Sequence, residues 1–264
     1  MQRGNVSISR FRGVCKDDVS AERKELLHNG TCCSVRQLKW NPPVGGTIYG
    51  TLFNYQGVLD KYRSNFIEPP YIELPKAPVL YIKSNNTIIG YGAPIPLPDG
   101  IPEIEVGASL GVVIGRTATR VCEDKAFEYV TGYTIVNDVS IPHESFFRPA
   151  VKQKCRDGFC PIGPWVVERD AVSDPGTLGI RVFINGKLQQ ENTTENLIRP
   201  VSRLIAEVTD FMTLYKGDLL LVGVPEGAPL AKAGDHIRIE IDHLGFLENP
   251  VVLESELYSG GEFV

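Results

Sequence analysis

The chain has 264 residues, 42% of them hydrophobic and 22% charged, with a formal net charge of -5. That length supports one sizeable core, or a main domain with a small appendage, and the residue balance lies near globular averages, which argues against disorder. The acidic balance and the lack of a Lys/Arg run argue against a nucleic-acid partner, and no apolar run is long enough to cross a bilayer, so the expected partner is a small molecule.

Residues 1–46 differ in character from the rest. Residues 6–12 alternate apolar and polar in strand fashion, Lys16 to Asn29 is a charged stretch with short-helix character, and residues 41–46, Asn-Pro-Pro-Val-Gly-Gly, form a breaker cluster. The expected organisation is a small β-rich N-terminal segment and linker over 1–46, followed by a main domain over 47–264.

From Thr47 onward, short apolar strands are predicted at 47–53, 79–82, 108–114, 132–136, 165–167, 179–184, 219–222 and 236–241. Asn185-Gly186 is a two-residue hairpin turn. Two helices are predicted, one at 123–130 and one from about 195 to 212, with Thr194 as its N-cap and Leu197, Val201, Leu204, Ile205 and Val208 on one face. The fold class is therefore β-rich α+β without internal repeats. Six cysteines (Cys15, Cys32, Cys33, Cys122, Cys155, Cys160) fall in no C-x-x-C frame, and no secretory leader with an apolar core opens the chain. Unpaired, mostly buried thiols in a reduced, cytoplasmic protein are expected.

The densest chemistry lies between Asn137 and Pro164. Asp138, His143, Glu144, Arg148, Lys154, Arg156 and Asp157 crowd a segment too interrupted by Pro and Gly for a long helix, ending in the turn Gly158-Phe-Cys-Pro-Ile-Gly163. Opposite charges at that density are costly unless something fixes them. Arg offers a planar fork to a carboxylate and Lys a compact charge beside a developing enolate, so Lys154, Arg148 and Arg156, with Lys83 upstream, are candidate anion-binding groups. The structural alternative is an Arg156–Asp157 ion pair at the turn. His143, near neutrality in its unperturbed pKa, is a candidate acid or base, although a lone loop His is more often merely exposed.

This segment resembles the fumarylacetoacetate hydrolase superfamily, whose members carry Asn-Asp at a strand end followed by Lys-x-x-Asp-(Gly/Thr)-Phe-x-Pro-(Ile/Leu)-Gly-Pro. The longer match through Phe146-Phe-Arg-Pro-Ala-Val-Lys-Gln-Lys154-Cys-Arg-Asp-Gly-Phe-Cys-Pro-Ile-Gly163 is similar to the branch formed by N-terminal halves of fused decarboxylase/isomerases of homoprotocatechuate (4-hydroxyphenylacetate) breakdown. The resemblance runs from about Thr47 to Leu253 and implies a mixed β-roll or barrel with few helices around a cleft.

It also implies a divalent metal such as Mg²⁺, held by a Glu-x-Glu pair on one strand and by the Asp of Asn-Asp. Residues i and i+2 of a strand face the same way, which lets such carboxylates converge on a hard cation. Here the Asp is Asp138, but Gly107 and Ser109 stand where the glutamates belong. One carboxylate makes a poor Mg²⁺ site, so weak or absent metal binding is expected. Glu103-Ile-Glu105 is itself a Glu-x-Glu, four residues too early; it reads as solvated carboxylates unless a bulge or slip moves it. In Asn54-Tyr55-Gln-Gly-Val58-Leu-Asp60-Lys61, Val58 and Lys61 replace the His and Glu that form a hydrolytic dyad in some family members, and Val224 replaces the Thr of the Gly-Thr-Pro turn.

The resemblance thus implies a decarboxylase or isomerase (tautomerase) acting on a small 2-oxo or enol di- or tricarboxylate of aromatic-acid breakdown. Lys154, Arg148 and Asp138 are its expected catalytic groups, and Arg156, Lys83, Tyr55 and His143 its substrate contacts. Two alternatives stand beside it: a catalytically weakened subunit paired with a metal-bearing homologue, and a metal-independent biosynthetic enzyme on the same fold. The expected assembly is a homodimer or such a heterodimer.

Overall fold

The computed structural model describes residues 40–69, 71–143 and 149–257 with their side chains, together with backbone strands at Glu25–His28, Thr31–Ser34, Tyr258–Ser259 and Glu262–Phe263. Two sheets carry the fold. The larger has seven strands in the order Val79–Lys83, Ile48–Leu52, Leu219–Leu221, Ala108–Ile114, Val130–Asn137, Cys160–Glu168, Ile88–Ile89. Neighbours run antiparallel except Ile48–Leu52 with Leu219–Leu221 and Cys160–Glu168 with Ile88–Ile89. The second sheet has five strands, in the order Lys187–Thr193, Gly179–Ile184, His236–Ile241, Gly245–Leu253, Ile95–Leu97.

The main core lies between the sheets, where Leu110, Val112 and Ile135 meet Ile180, Val182, Ile237 and Ile239. Ala108–Ile114 is buried along its whole length because its other face packs Val113 into a second cluster with Ile48, Val136, Ile162 and Leu219. Burial on both faces explains a continuous apolar run where a half-exposed strand would alternate. Trp40, in the segment that reads as linker, packs edge-on against Trp165 with ring centroids 5.7 Å apart. Gly90 admits this segment, since a Cβ there would stand 2.4 Å from the Trp40 carbonyl oxygen.

The strands 108–114, 179–184 and 236–241 fall where the sequence places them, and Asn185-Gly186 turns the hairpin with both residues at positive φ. The helices differ. The 123–130 helix is a 3₁₀ segment, Glu123–Tyr129, and the long one is confined to Val201–Phe211. Pro200 occupies its N-cap, and Thr193, not Thr194, caps a separate 3₁₀ turn at Thr194–Asn196 by accepting from the Glu195 N–H. A helix at Gln56–Phe66 has no counterpart in the sequence reading. Only Phe66 in it is fully buried, so it lacks the apolar stripe that marks a core helix. Of the three described cysteines, all free, Cys122 is exposed, Cys155 half-buried and Cys160 buried, so the described thiols are not mostly buried.

Candidate active site

Asp138 leaves the end of the Val130–Asn137 strand and is fully enclosed. Its backbone N–H donates to the Gly107 carbonyl at 2.7 Å, and the Asn137 side chain accepts from the Gly107 N–H at 3.0 Å, which ties the two strand ends together. Its carboxylate meets two ammonium groups. Lys154 Nζ donates to Oδ2 at 2.8 Å, and Lys83 Nζ stands 2.9 Å from Oδ1 in a charge contact off hydrogen-bonding alignment, donating instead to the Val139 carbonyl at 2.9 Å. The Tyr81 hydroxyl also donates to Oδ2. Burial pulls the Asp138 carboxyl upward, but the Lys154 and Lys83 charges outweigh it and hold the group well below the usual carboxylate range.

Local sequence explains how each partner arrives. Tyr81 and Lys83 are i and i+2 on one strand, hence on one face. Tyr81 lies flat over its cross-strand neighbour Gly50, where a Cβ would come within 2.0 Å of the ring, so only glycine is tolerated there. Burial, then the adjacent Asp138 charge, push the Tyr81 hydroxyl well above its ordinary pKa and keep it a donor. Lys154 ends a single helical turn, Val151–Lys154, and its ammonium sits 4.7 Å from the Tyr81 ring centroid. The chain behind it is locked by the fully buried Phe159, whose carbonyl accepts from Val139 N–H at 3.2 Å, and by Asp157, which accepts from the Asn86 amide at 2.6 Å.

A cavity of about 160 Å³ opens beside this cluster, with Tyr81, Asp138, Lys154, Glu105 and His143 on one side and Val58, Lys61, Val224 and Glu226 also on its wall. It has room for the equivalent of about five waters, the scale of a small carboxylic acid. Among the residues lining this cavity, Thr51 Oγ1, Asp138 Oδ1 and Glu226 Oε2 are buried without a hydrogen-bond partner among the described residues.

Of the sequence-predicted residues, Asp138, Lys154 and His143 come together on this wall, and Lys83 lies fully buried behind Asp138. His143 Nδ1 lies 2.9 Å from the Ile141 carbonyl oxygen. Tyr55 is fully buried and off the cavity wall, its hydroxyl without a partner among the described residues. Arg156 points elsewhere and pairs with Glu254 at 3.1 Å, not with Asp157. Arg148 lies outside the described residues. Glu105, which reads as a solvated carboxylate, instead lines the cavity because its backbone bridges Ser140, N–H to carbonyl at 2.8 Å. Burial raises its pKa, with the Lys154 charge opposing. Glu226 and Tyr81 were not read from the sequence: both sites are assembled from strands and loops distant along the chain.

A family model for the fumarylacetoacetate (FAA) hydrolase C-terminal domain matches residues 47–252, and the chain belongs to that family. It is 42% identical over 218 residues to the 4-hydroxyphenylacetate degradation bifunctional isomerase/decarboxylase of Escherichia coli, a match covering 83% of this chain and 50% of that protein. The chain spans about half the length of the first curated relatives that it matches. Among solved structures, a 5-carboxymethyl-2-hydroxymuconate delta-isomerase from Mycobacterium smegmatis superposes with a TM-score of 0.72 at 31% identity, covering 85% of this chain and 86% of that one. A maleylpyruvate hydrolase from Sphingobium sp. SYK-6, in complex with manganese(II) and pyruvate, gives 0.70 at 28% identity, covering 84% and 77%.

The residues here do not fit such a cation. A Cβ on Gly107 would stand 2.3 Å from the Asp138 carbonyl oxygen, so no acidic side chain fits there without a backbone shift. Ser109, fully buried, donates its hydroxyl to the Gly223 carbonyl at 2.8 Å. The remaining carboxylate already faces two lysines, and no group of three His, Cys, Asp or Glu converges among the described residues.

Proposed function

We propose that this chain catalyses isomerisation (tautomerisation) or decarboxylation of a small 2-oxo or enol di- or tricarboxylate, using lysine charge where other family members use metal. The observation that carries the reading is the charge count around Asp138: two ammonium groups face one carboxylate at 2.8–2.9 Å, in a place nearly closed to water. The surplus positive charge is poorly solvated, and Lys154 presents it to the cavity. An enolate oxygen developing beside it is stabilised without any reorganisation of the site. Decarboxylation next to a 2-oxo group and keto–enol isomerisation both pass through such an oxyanion, so one site serves either. Lys61, elsewhere on the wall, supplies a second charge for the substrate's distal carboxylate. The isomerase and decarboxylase names of the relatives support the same chemistry.

The test is to incubate the protein, with EDTA present, with 2-hydroxyhepta-2,4-diene-1,7-dioate and with 5-oxopent-3-ene-1,2,5-tricarboxylate. Loss of the conjugated chromophore, or release of CO₂, proportional to protein concentration is expected. No turnover of either compound contradicts the proposal.

A further inference from the structure

On the same wall as Val58 and Lys61, the carboxylate of Glu226 is held in a prepared position. Gln190, from the Lys187–Thr193 strand, donates its side-chain amide to the backbone carbonyls of Pro225 and Glu226 at 3.2 and 2.7 Å. Asn192, two residues along the same strand, donates to Glu226 Oε1 at 3.0 Å. Oε2 is left buried, without a hydrogen-bond partner among the described residues. The carboxylate occupies space that exists because residue 57 is glycine: a Cβ there would lie 2.3 Å from Glu226 Cδ and 2.5–2.6 Å from its oxygens. Behind it lies the buried Tyr55 hydroxyl, also unpartnered, which burial and then the Glu226 charge keep protonated. A buried carboxylate oxygen without a partner, on a residue that lines a cavity, is costly in an idle protein and suited to a carboxylate that exchanges a proton with a bound molecule.

We propose that Glu226 is the proton-transferring residue of this cleft, acting where Val58 and Lys61 have displaced the dyad of other family members. This rests on the substrate class proposed above. With the substrate's carbonyl oxygen toward Lys154, the Glu226 carboxylate takes the proton from the carbon next to the 2-oxo group. The C–H electron pair becomes the new C=C bond, and the C=O π pair becomes the enolate charge beside the Lys154 ammonium. For isomerisation, Glu226 returns the same proton to the far carbon of the conjugated system as the C=O bond re-forms. The sequence consumes no co-reactant. Gln190 and Asn192 are positioning residues, and Gly57 provides the space.

Two measurements on the full chain separate this inference from the reading beneath it. Oxalate, an enolate mimic, reports the cationic site by calorimetric titration. Exchange of the C3 protons of 2-oxoadipate in D₂O, followed by NMR, reports the base. The wild type is expected to bind oxalate and to speed exchange above the buffer rate. Glu226→Gln and Gly57→Ala should each slow the enzymatic exchange by about 10²-fold or more, the usual contribution of a positioned acid or base. Oxalate affinity should stay within about threefold, and the double variant should be no slower than either single one. Gly57→Ala favours its helix but crowds the Glu226 carboxylate, so thermal melting and oxalate binding of this variant must stay near wild type for its loss of exchange to count. Absence of oxalate binding in the wild type overturns the underlying reading and this inference with it. Oxalate binding with exchange unchanged in Glu226→Gln, or lost only in Glu105→Gln, overturns the Glu226 assignment alone.

Discussion

Of the three carboxylates that line the cavity, Asp138 and Glu226 are held in opposite ways. Asp138 is fully enclosed and faces two lysines and a tyrosine, so it stays ionised and has little left to offer a ligand. Glu226 is fixed through one oxygen by Asn192 and through its backbone by Gln190, with its second oxygen buried and without a hydrogen-bond partner among the described residues. The first arrangement makes an electrostatic anchor whose effect is felt through Lys154; the second makes a group able to exchange a proton. One structural relative is in complex with manganese(II) and pyruvate, whereas in this chain Asp138 carries an ammonium pair.

The contrast breaks hardest at Asp138. Asp138→Asn leaves Lys83 and Lys154 facing each other with no counter-charge, and removing one partner of a buried ion pair typically costs about 3–5 kcal/mol. Chemical denaturation should show a loss of that order. Because the folded pKa of Asp138 is depressed, the unfolded state takes up protons first as pH falls below about 4. Its stabilisation is therefore complete above that pH and is lost as pH drops toward the folded value. Thermal melts of the wild type should decline through this acid range, and a variant without the carboxylate should lack that part of the decline. An acid limb of equal size in both would show that the cluster is not held by this charge.

At the small end stands Arg156. It was expected at the substrate, yet its pairing with Glu254 is partly exposed and away from the cavity. Arg156→Met should change melting stability by under about 1 kcal/mol and turnover by less than about threefold. A loss of about 10²-fold in turnover would return Arg156 to the site.

Much of the anchor was legible in the sequence, because a short motif contains it. Asn137-Asp138 and Lys154 lie within eighteen residues, and strand alternation accounts for Tyr81 joining Lys83 once the strand is known. The sequence gives no measure of burial, however. Lys154 reads as a partly solvated charge and is 7% exposed, so its replacement carries a stability cost as well as a catalytic one. The other end of the cavity was hidden for a physical reason. Glu226 is positioned by Gln190 and Asn192, more than thirty residues earlier, and by a missing side chain at Gly57 on a helix with no apolar stripe. No local period records such a meeting. Glu105 escaped for a related reason: its backbone pairs with Ser140 and Leu230, both distant along the chain, and it lines the cavity.

The central claim is that lysine charge, not a metal ion, holds the substrate's anion. Calorimetric titration of oxalate into wild type and Lys154→Met, each with EDTA and then with Mg²⁺, tests it most directly, with circular dichroism confirming that the variant is folded. Binding to the wild type in EDTA, unchanged by Mg²⁺ and weakened by about tenfold or more in Lys154→Met, is the predicted result. Binding that appears only when Mg²⁺ is added, or that survives the loss of Lys154 unchanged, would contradict it.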